Sequence, residues 1–382
     1  MAFGVSENAA NSNEEIRRVP APCDLVISRW RLLLNVAPGA GTSYTYTVRV
    51  GDSDGSQADT AMAITISGTD TYGYYSGSIT VLKGQTISIS AVPSSSPATI
   101  NGNDMLFDVY PSIPGTSVMF GAQFNLSGTG TQYFGPQALC EVSTTETDVF
   151  GIIPTPGKIF NLFFRHGTVM SSDTMTITSR INQASKSLTV TLNDTEIQGS
   201  DETNDFDVVA TDEINFMKTA TGTPPSNQGM FSYCFKPDTP GYNIKLKHGT
   251  TAASVAAAVA SLEGSNDWIN GEANKEYEHH TTIARDLYVK QGVAPGTGES
   301  RTFTVRQDTA DTALTCTISG TDVSASDTSN THPMVNYHVS CMRGVRSSTS
   351  AANPGRVHWG LVLDTGNDQI QSAGLESATI RR

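Results

Sequence analysis

Charge is scarce in this chain, and what there is leans one way. Only 16% of its 382 residues are charged, and 24 basic residues face 37 acidic ones for a formal net charge of −13. An acidic surface repels phosphate backbones and anionic headgroups, so nucleic acid and anionic membrane are excluded as expected partners. Cysteine is also sparse: Cys23, Cys140, Cys234, Cys316 and Cys341 form no CxxC pair, and their number is odd. This pattern favours reduced, structural thiols and assembly in a reducing cytosol. No apolar run is long enough to span a bilayer. The start, Met1-Ala2-Phe3-Gly4-Val5, lacks the basic and apolar regions of a signal peptide. Chain ends fray unless held, and here neighbouring copies or a larger assembly are expected to hold them. Catalytic motifs are missing as well: no phosphate-binding Gly loop with its Lys, no GxSxG and no HExxH. No cofactor and no enzymatic activity are expected.

What the chain does contain is a repeat. Val293-Ala294-Pro295-Gly296, Thr302-Phe303-Thr304-Val305-Arg306 and Asp311-Thr312-Ala313 lead to Ile318-Ser319-Gly320-Thr321-Asp322. The same text appears earlier as Val36-Ala37-Pro38-Gly39, Thr45-Tyr46-Thr47-Val48-Arg49, Asp59-Thr60-Ala61 and Ile66-Ser67-Gly68-Thr69-Asp70. Halving the offset places a middle copy about 126 to 129 residues after the first. A worn version stands there, in Ser172–Ile177 and Ser187–Leu192. The expected organisation is three domains at 1–117, 118–237 and 238–364, with a polar tail at 365–382 that reaches onto a neighbour. Each is long enough to bury its own core.

Within a copy the pattern is that of short strands. Trp30, Leu32 and Leu34 share one face by period two, with Arg29 and Arg31 on the other. Tyr44 to Val50 alternates and is rich in aromatic and β-branched residues. Closing strands read Met105–Tyr110, Met230–Phe235 and Val357–Leu363. The expected fold is all-β: three tandem antiparallel β-sandwiches, with jelly-roll and Ig-like connections both open. Phe3-Gly4 is expected to open the first copy as Phe120-Gly121 opens the second. The Ala-rich stretch from Thr251 to Gly264 has a helical composition, so one short helix is expected there. Joints at Pro111–Gly115 and Pro237–Gly241 are too short to be flexible tethers, which implies fixed packing between domains.

Few residues stand out as sites. Glu276 to His280 places two histidines side by side, which on a strand point to opposite faces and do not converge on a metal. Asp52, Asp54 and Asp59 flank a Gly but lack the rest of a calcium loop. The acidic run from Asp194 to Asp205 reads as a solvated surface. Tyr72-Gly73-Tyr74-Tyr75 is different: copy three has no aromatics in that place. Tyr72, Tyr74 and Tyr75 are therefore the candidate contact residues, for a protein neighbour or for a sugar face, in a region read as a turn. The bland alternative packs one in the core and lays two over a sheet edge.

The repeated text around Ala37-Pro38-Gly39 and Asp59-Thr60-Ala61, and around Ala294-Pro295-Gly296 and Asp311-Thr312-Ala313, resembles tandem β-sandwich virion-associated proteins of tailed bacteriophages. The stretch Trp268–Glu276 resembles that group too. Copy two departs from it, with Arg165-His166-Gly167-Thr168 in place of the Pro-Gly turn. The resemblance implies a structural or host-contact role in a virion assembled in the bacterial cytoplasm, and supplies no catalytic residues. It implies as partners other virion proteins, the major capsid protein first, together with self-association. Capsid decoration or reinforcement is the leading expectation, and three similar sandwiches in one chain suit a pseudo-threefold position. A tail-fibre protein that recognises host glycans is the first alternative. An extracellular filament subunit is the second.

Overall fold

The computed structural model describes residues 14–99, 103–126, 129–251, 257–260, 262, 268, 277–278, 282–335, 338–366 and 371–375. Among them there is no α-helix, and nearly all strand pairs are antiparallel.

The first set of strands is β1 (Val19–Pro20), β2 (Leu25–Leu34), β3 (Gly39–Gly51), β4 (Ala58–Gly68), β5 (Tyr72–Val81), β6 (Thr86–Pro93) and β7 (Asn103–Pro111). The second is β8 (Ser117–Leu126), β9 (Gln132–Phe134), β10 (Ala138–Cys140), β11 (Val142–Ser143), β12 (Gly151–Ile152), β13 (Gly157–His166), β14 (Thr174–Ile181), β15 (Ala184–Asn193), β16 (Gln198–Val208), β17 (Glu213–Thr221) and β18 (Asn227–Pro237). The third is β19 (Tyr242–Thr251), β20 (Ala257–Ala260), β21 (Tyr277–Glu278), β22 (Thr282–Gln291), β23 (Gly296–Gln307), β24 (Ala310–Gly320), β25 (Ser324–Met334), β26 (Val339–Arg346) and β27 (Arg356–Asp364). A last strand, β28 (Gln371–Leu375), comes from the tail.

These strands form sheets in matching pairs. In the second set, β8-β18-β13-β16 lies opposite β17-β14-β15, whose open side carries β12 and β9. In the third, β19-β27-β22-β25 lies opposite β26-β23-β24, whose open side carries β20 and β21. Counted from one to eight within a set, the orders are 1-8-3-6 and 2-7-4-5. That is the jelly-roll connection, not the Ig-like one. Each pair of sheets encloses its own apolar cluster.

The first pair follows the same order with one difference. Its sheets are β1-β6-β3-β4 and β28-β7-β2-β5. The place held by β8 and β19 elsewhere is filled by β28, from the other end of the chain. The register agrees: Gln371 pairs with Val109 as Ser117 pairs with Phe235 and Asn243 with Leu363. The tail therefore completes the sheet of the first set. The opening strand expected at Phe3-Gly4 lies outside the described residues.

Repeat and structure agree in detail. Arg29, Asn161 and Asp286 hold the fifth position of β2, β13 and β22, and all three have positive φ (46°, 54° and 51°) beside a register shift. This bulge bends each strand so that it can serve both ends of its sheet. Cross-strand hydroxyl pairs recur at one place: Thr45–Thr65 at 2.9 Å, Thr176–Thr191 at 3.0 Å and Thr302–Thr317 at 2.9 Å. The Thr-rich outer faces thus bond to themselves along the sheet. The helix expected over 251–264 is contradicted where it can be seen: Ala257–Ala260 is strand β20, paired with Met342–Val345 of β26. Ladder bonds and burial of Ala258 and Ala260 in the third cluster override helix propensity.

Candidate interaction surface

The connectors between sets meet one another. Ser117 Oγ donates to Asn243 Oδ1, joining equivalent positions on β8 and β19. Thr365, after β27, donates from both its backbone N–H and its Oγ1 to the Gly241 carbonyl at 2.9 Å. Pro114, Gly115, Pro240, Gly241 and Thr365 line a cleft of about 350 Å³ at this meeting point. Residues that follow β7, β18 and β27 thus meet at one cleft.

The sets also touch in cyclic order. Strand β1 lies on β18, β13 and β8; β12 lies on β27 and β19; β21 lies on β7 and β28. In every case the second strand of one jelly roll packs on the outer face of the next one's first and last strands. Residues alternate accordingly. On β18, Phe231, Tyr233 and Phe235 belong to the second cluster, whereas Met230 and Cys234 belong to the first. On β7, Asp108 is fully buried although its neighbours Phe107 and Val109 fill the first cluster. Its carboxylate accepts from Arg29 Nε.

The joint between the first and second sets is polar at its rim and apolar within. Ser232 Oγ donates to the Pro20 carbonyl at 2.6 Å, Asn161 Nδ2 to Pro22 at 3.2 Å and Gln198 Nε2 to Gly84 at 2.8 Å. Lys83 pairs with Glu202 at 2.5 Å. Between the second and third sets, Arg356 pairs with Glu141 and with Asp148, and Lys290 pairs with Glu213. The His358 ring stacks on Phe150 with centroids 3.8 Å apart, and its Nδ1 lies 2.7 Å from the Phe150 carbonyl oxygen. Burial pushes the His358 imidazole down to about 3, and burial likewise holds His248 well below the ordinary histidine range. Gly360 permits the contact with β12, since a Cβ there would lie 1.8 Å from the Ile152 carbonyl oxygen.

The tyrosines lie on β5, an edge strand, and not in the turn expected from the sequence. Tyr72 and Tyr74 are 45% and 47% exposed on the outer face. Arg31 Nε donates to the Tyr72 hydroxyl at 3.0 Å, and its guanidinium stands 5.0 Å from the ring centre. Tyr75 turns inward against the first cluster and covers Gly77. Pairing puts Tyr72 opposite Leu33 and Ser324 opposite Lys290, so Tyr72 and Tyr74 correspond to Ser324 and Ser326. Those serines, with Lys290 and Glu213, line a cleft between the second and third sets. Tyr72 and Tyr74 hold the equivalent places on the first set, where both are exposed.

Tyr75 corresponds to Asp327 and to Asp201, the latter in the acidic run expected to be a solvated surface. Both carboxylates are buried. Asp327 accepts from the backbone N–H groups of Thr315 (2.9 Å), Ser329 (3.2 Å) and Asn330 (3.0 Å). Asp201 does the same with Thr189 (2.9 Å), Thr203 (3.2 Å) and Asn204 (3.1 Å). Burial pushes each carboxyl up, but the donated bonds outweigh it and hold both below the ordinary range. The signal was in the sequence: Asp201-Glu202-Thr203-Asn204 and Asp327-Thr328-Ser329-Asn330 stand one repeat apart.

Among the described residues no three His, Cys, Asp or Glu side chains gather as a metal site. Asp59 instead pairs with Arg49 at 2.8 Å, and His279 and His280 lie outside the described residues. No protein-family model matches the chain, and no curated protein matches it.

Proposed function

We propose that this chain is a non-enzymatic structural protein of a bacteriophage virion, and that it decorates or reinforces the capsid. In this reading it is three domains, at 1–117, 118–237 and 238–364, with residues 371–375 returning to the first. The observation that carries the proposal is the cyclic order of the joints around converging connectors. A single chain of this form occupies a threefold position while offering three different outer surfaces. Jelly rolls recur in viral capsid and lectin domains, which supports the reading by fold analogy. Its partners are the major capsid protein and other virion proteins. Immunogold electron microscopy of intact and disrupted particles, with an antibody to residues 282–364, tests the proposal. Regular label over the heads supports it, and label along free filaments with none on particles overturns it.

Exposed Tyr72 and Tyr74 beside Arg31 favour one second reading, a tail-fibre protein whose aromatic faces stack on host glycans. Label confined to the tail tip, with glycan-array binding lost in a Tyr72→Ala, Tyr74→Ala double variant, would establish it instead.

A further inference from the structure

One core position differs in kind between the three sets. The residues before the matched threonines Thr45, Thr176 and Thr302 are Tyr44, Met175 and Arg301. All three are buried, at 2%, 0% and 4% exposure. Tyr44 and Met175 belong to the first and second apolar clusters, and Arg301 stands in the inward row of Phe303 and Val305 of the third. Their cross-strand partners are Pro93, Ala220 and Arg346. The third set thus places two guanidinium groups where the other two place uncharged side chains.

Opposed residues on neighbouring antiparallel strands share a face, with Cβ atoms about 5 Å apart. The surroundings repeat those of the first set. The Tyr44 hydroxyl donates to the Ala98 carbonyl at 3.0 Å, and Arg301 Nη2 donates to the Ala352 carbonyl at 3.4 Å. Ala98 and Ala352 in turn donate their N–H groups to Pro38 and Pro295 at 2.7 and 2.9 Å. Arg301 therefore brings a charge into a frame that holds a neutral group elsewhere. Among the described residues no carboxylate pairs with Arg301 or Arg346, and Arg346 Nε is buried without a hydrogen-bond partner. The acids on these strands are engaged elsewhere. Glu299 accepts from Ser347 Oγ and Ser348 Oγ at 2.6 and 2.7 Å, and Asp311 pairs with Arg306 and Arg343. Burial, and then the Arg346 charge, hold the Arg301 guanidinium below the ordinary arginine range. Like charges side by side and out of water oppose the fold unless an anion joins them. The pair sits next to the exposed Ser347, at the end of β26, so an anion can reach it from solvent.

We propose that Arg301 and Arg346 form a binding site for a small tetrahedral oxyanion of the phosphate or sulfate class. A guanidinium is a rigid planar fork that bonds two oxygens at once. A carboxylate has two oxygens and is satisfied by one fork, whereas a tetrahedral oxyanion has oxygens for both. The bound anion neutralises the pair and ties β23 to β26 at one end of the third jelly roll.

The test uses the full chain in buffer free of phosphate and sulfate. Inorganic phosphate is titrated in, with acetate and chloride at matched ionic strength as controls, and calorimetric binding and the thermal unfolding midpoint are read. Phosphate is expected to bind at one site and raise the midpoint, and acetate and chloride to do neither. Arg301→Tyr and Arg301→Met install the residues of the other two sets. Each should weaken phosphate binding by about tenfold or more, while the midpoint without phosphate is kept or raised. If these variants fail to fold, Arg346→Ala, which installs the residue of the second set, should show the same loss. No shift with phosphate, an equal shift with acetate, or an undiminished shift in the variants would overturn the proposal.

Discussion

Single side chains hold this fold at places where backbone groups would otherwise lack partners. Asp201 and Asp327 each take several N–H groups at a distorted point of β16 and β25. Hydrogen bonds to a charged group contribute about 1.5–3 kcal/mol each, and a buried donor left without a partner costs about 1–3 kcal/mol. Asp327→Ala is therefore expected to destabilise the third set by about 2–3 kcal/mol in urea unfolding, whereas Asp322→Ala, on an exposed turn, changes little. Because the folded carboxyl titrates lower than the unfolded one, its contribution is complete above the unfolded value and fades as pH falls through the folded one. Histidine acts in the same direction. His358 is held down to about 3 against an unfolded value of about 6.5. The unfolded chain binds the proton first, so stability is complete above about pH 6.5 and drops towards pH 3. Thermal unfolding from pH 7 to pH 4 should show this loss, and His358→Gln should flatten it. These roles were only half legible. The Asp-x-Thr/Ser-Asn text could be seen to repeat, but the Thr189 and Thr315 N–H groups come from a neighbouring strand, which composition cannot reveal.

At the scale of elements, the strands were legible and their partners were not. Period-two alternation put Trp30, Leu32 and Leu34 on one face, and all three are buried. The stretches Met230–Phe235 and Val357–Leu363 lack that alternation, because their strands are covered on both faces. Jelly-roll order depends on pairing the first strand with the last, a contact about one repeat long that no local pattern encodes. The Ala-rich stretch misled for the opposite reason: local propensity was readable, but the ladder with β26 decided the outcome. Strand β28 is the element with the largest consequence. Deleting residues 371–382 should uncover the edge of β7. Hydrogen exchange should quicken across β7 and β2, while β13, β18, β22 and β27 keep their protection. Unchanged exchange in β7 would mean that the tail does not hold that edge.

At the scale of the whole molecule, the three sets of strands touch one another in cyclic order. The sequence announced the repeat and the short connectors, and from these a pseudo-threefold arrangement could be imagined. Closure itself could not be read, since it rests on a tail with no resemblance to β8 or β19. Function belongs to this scale as well. Tyr72 and Tyr74 are exposed on the first set only, so a partner that meets them meets one side of the molecule. A Tyr72→Ala, Tyr74→Ala variant should lose particle association by tenfold or more, on the order of 1.4 kcal/mol, while its unfolding midpoint stays unchanged. A lower midpoint would assign the tyrosines to the fold instead.

The most direct test of closure is small-angle X-ray scattering of the full chain as a monomer in solution. A compact body of this length is expected to have a radius of gyration of about 21 Å. A value above roughly 30 Å would describe domains strung end to end, and would contradict the ring and the threefold role built on it.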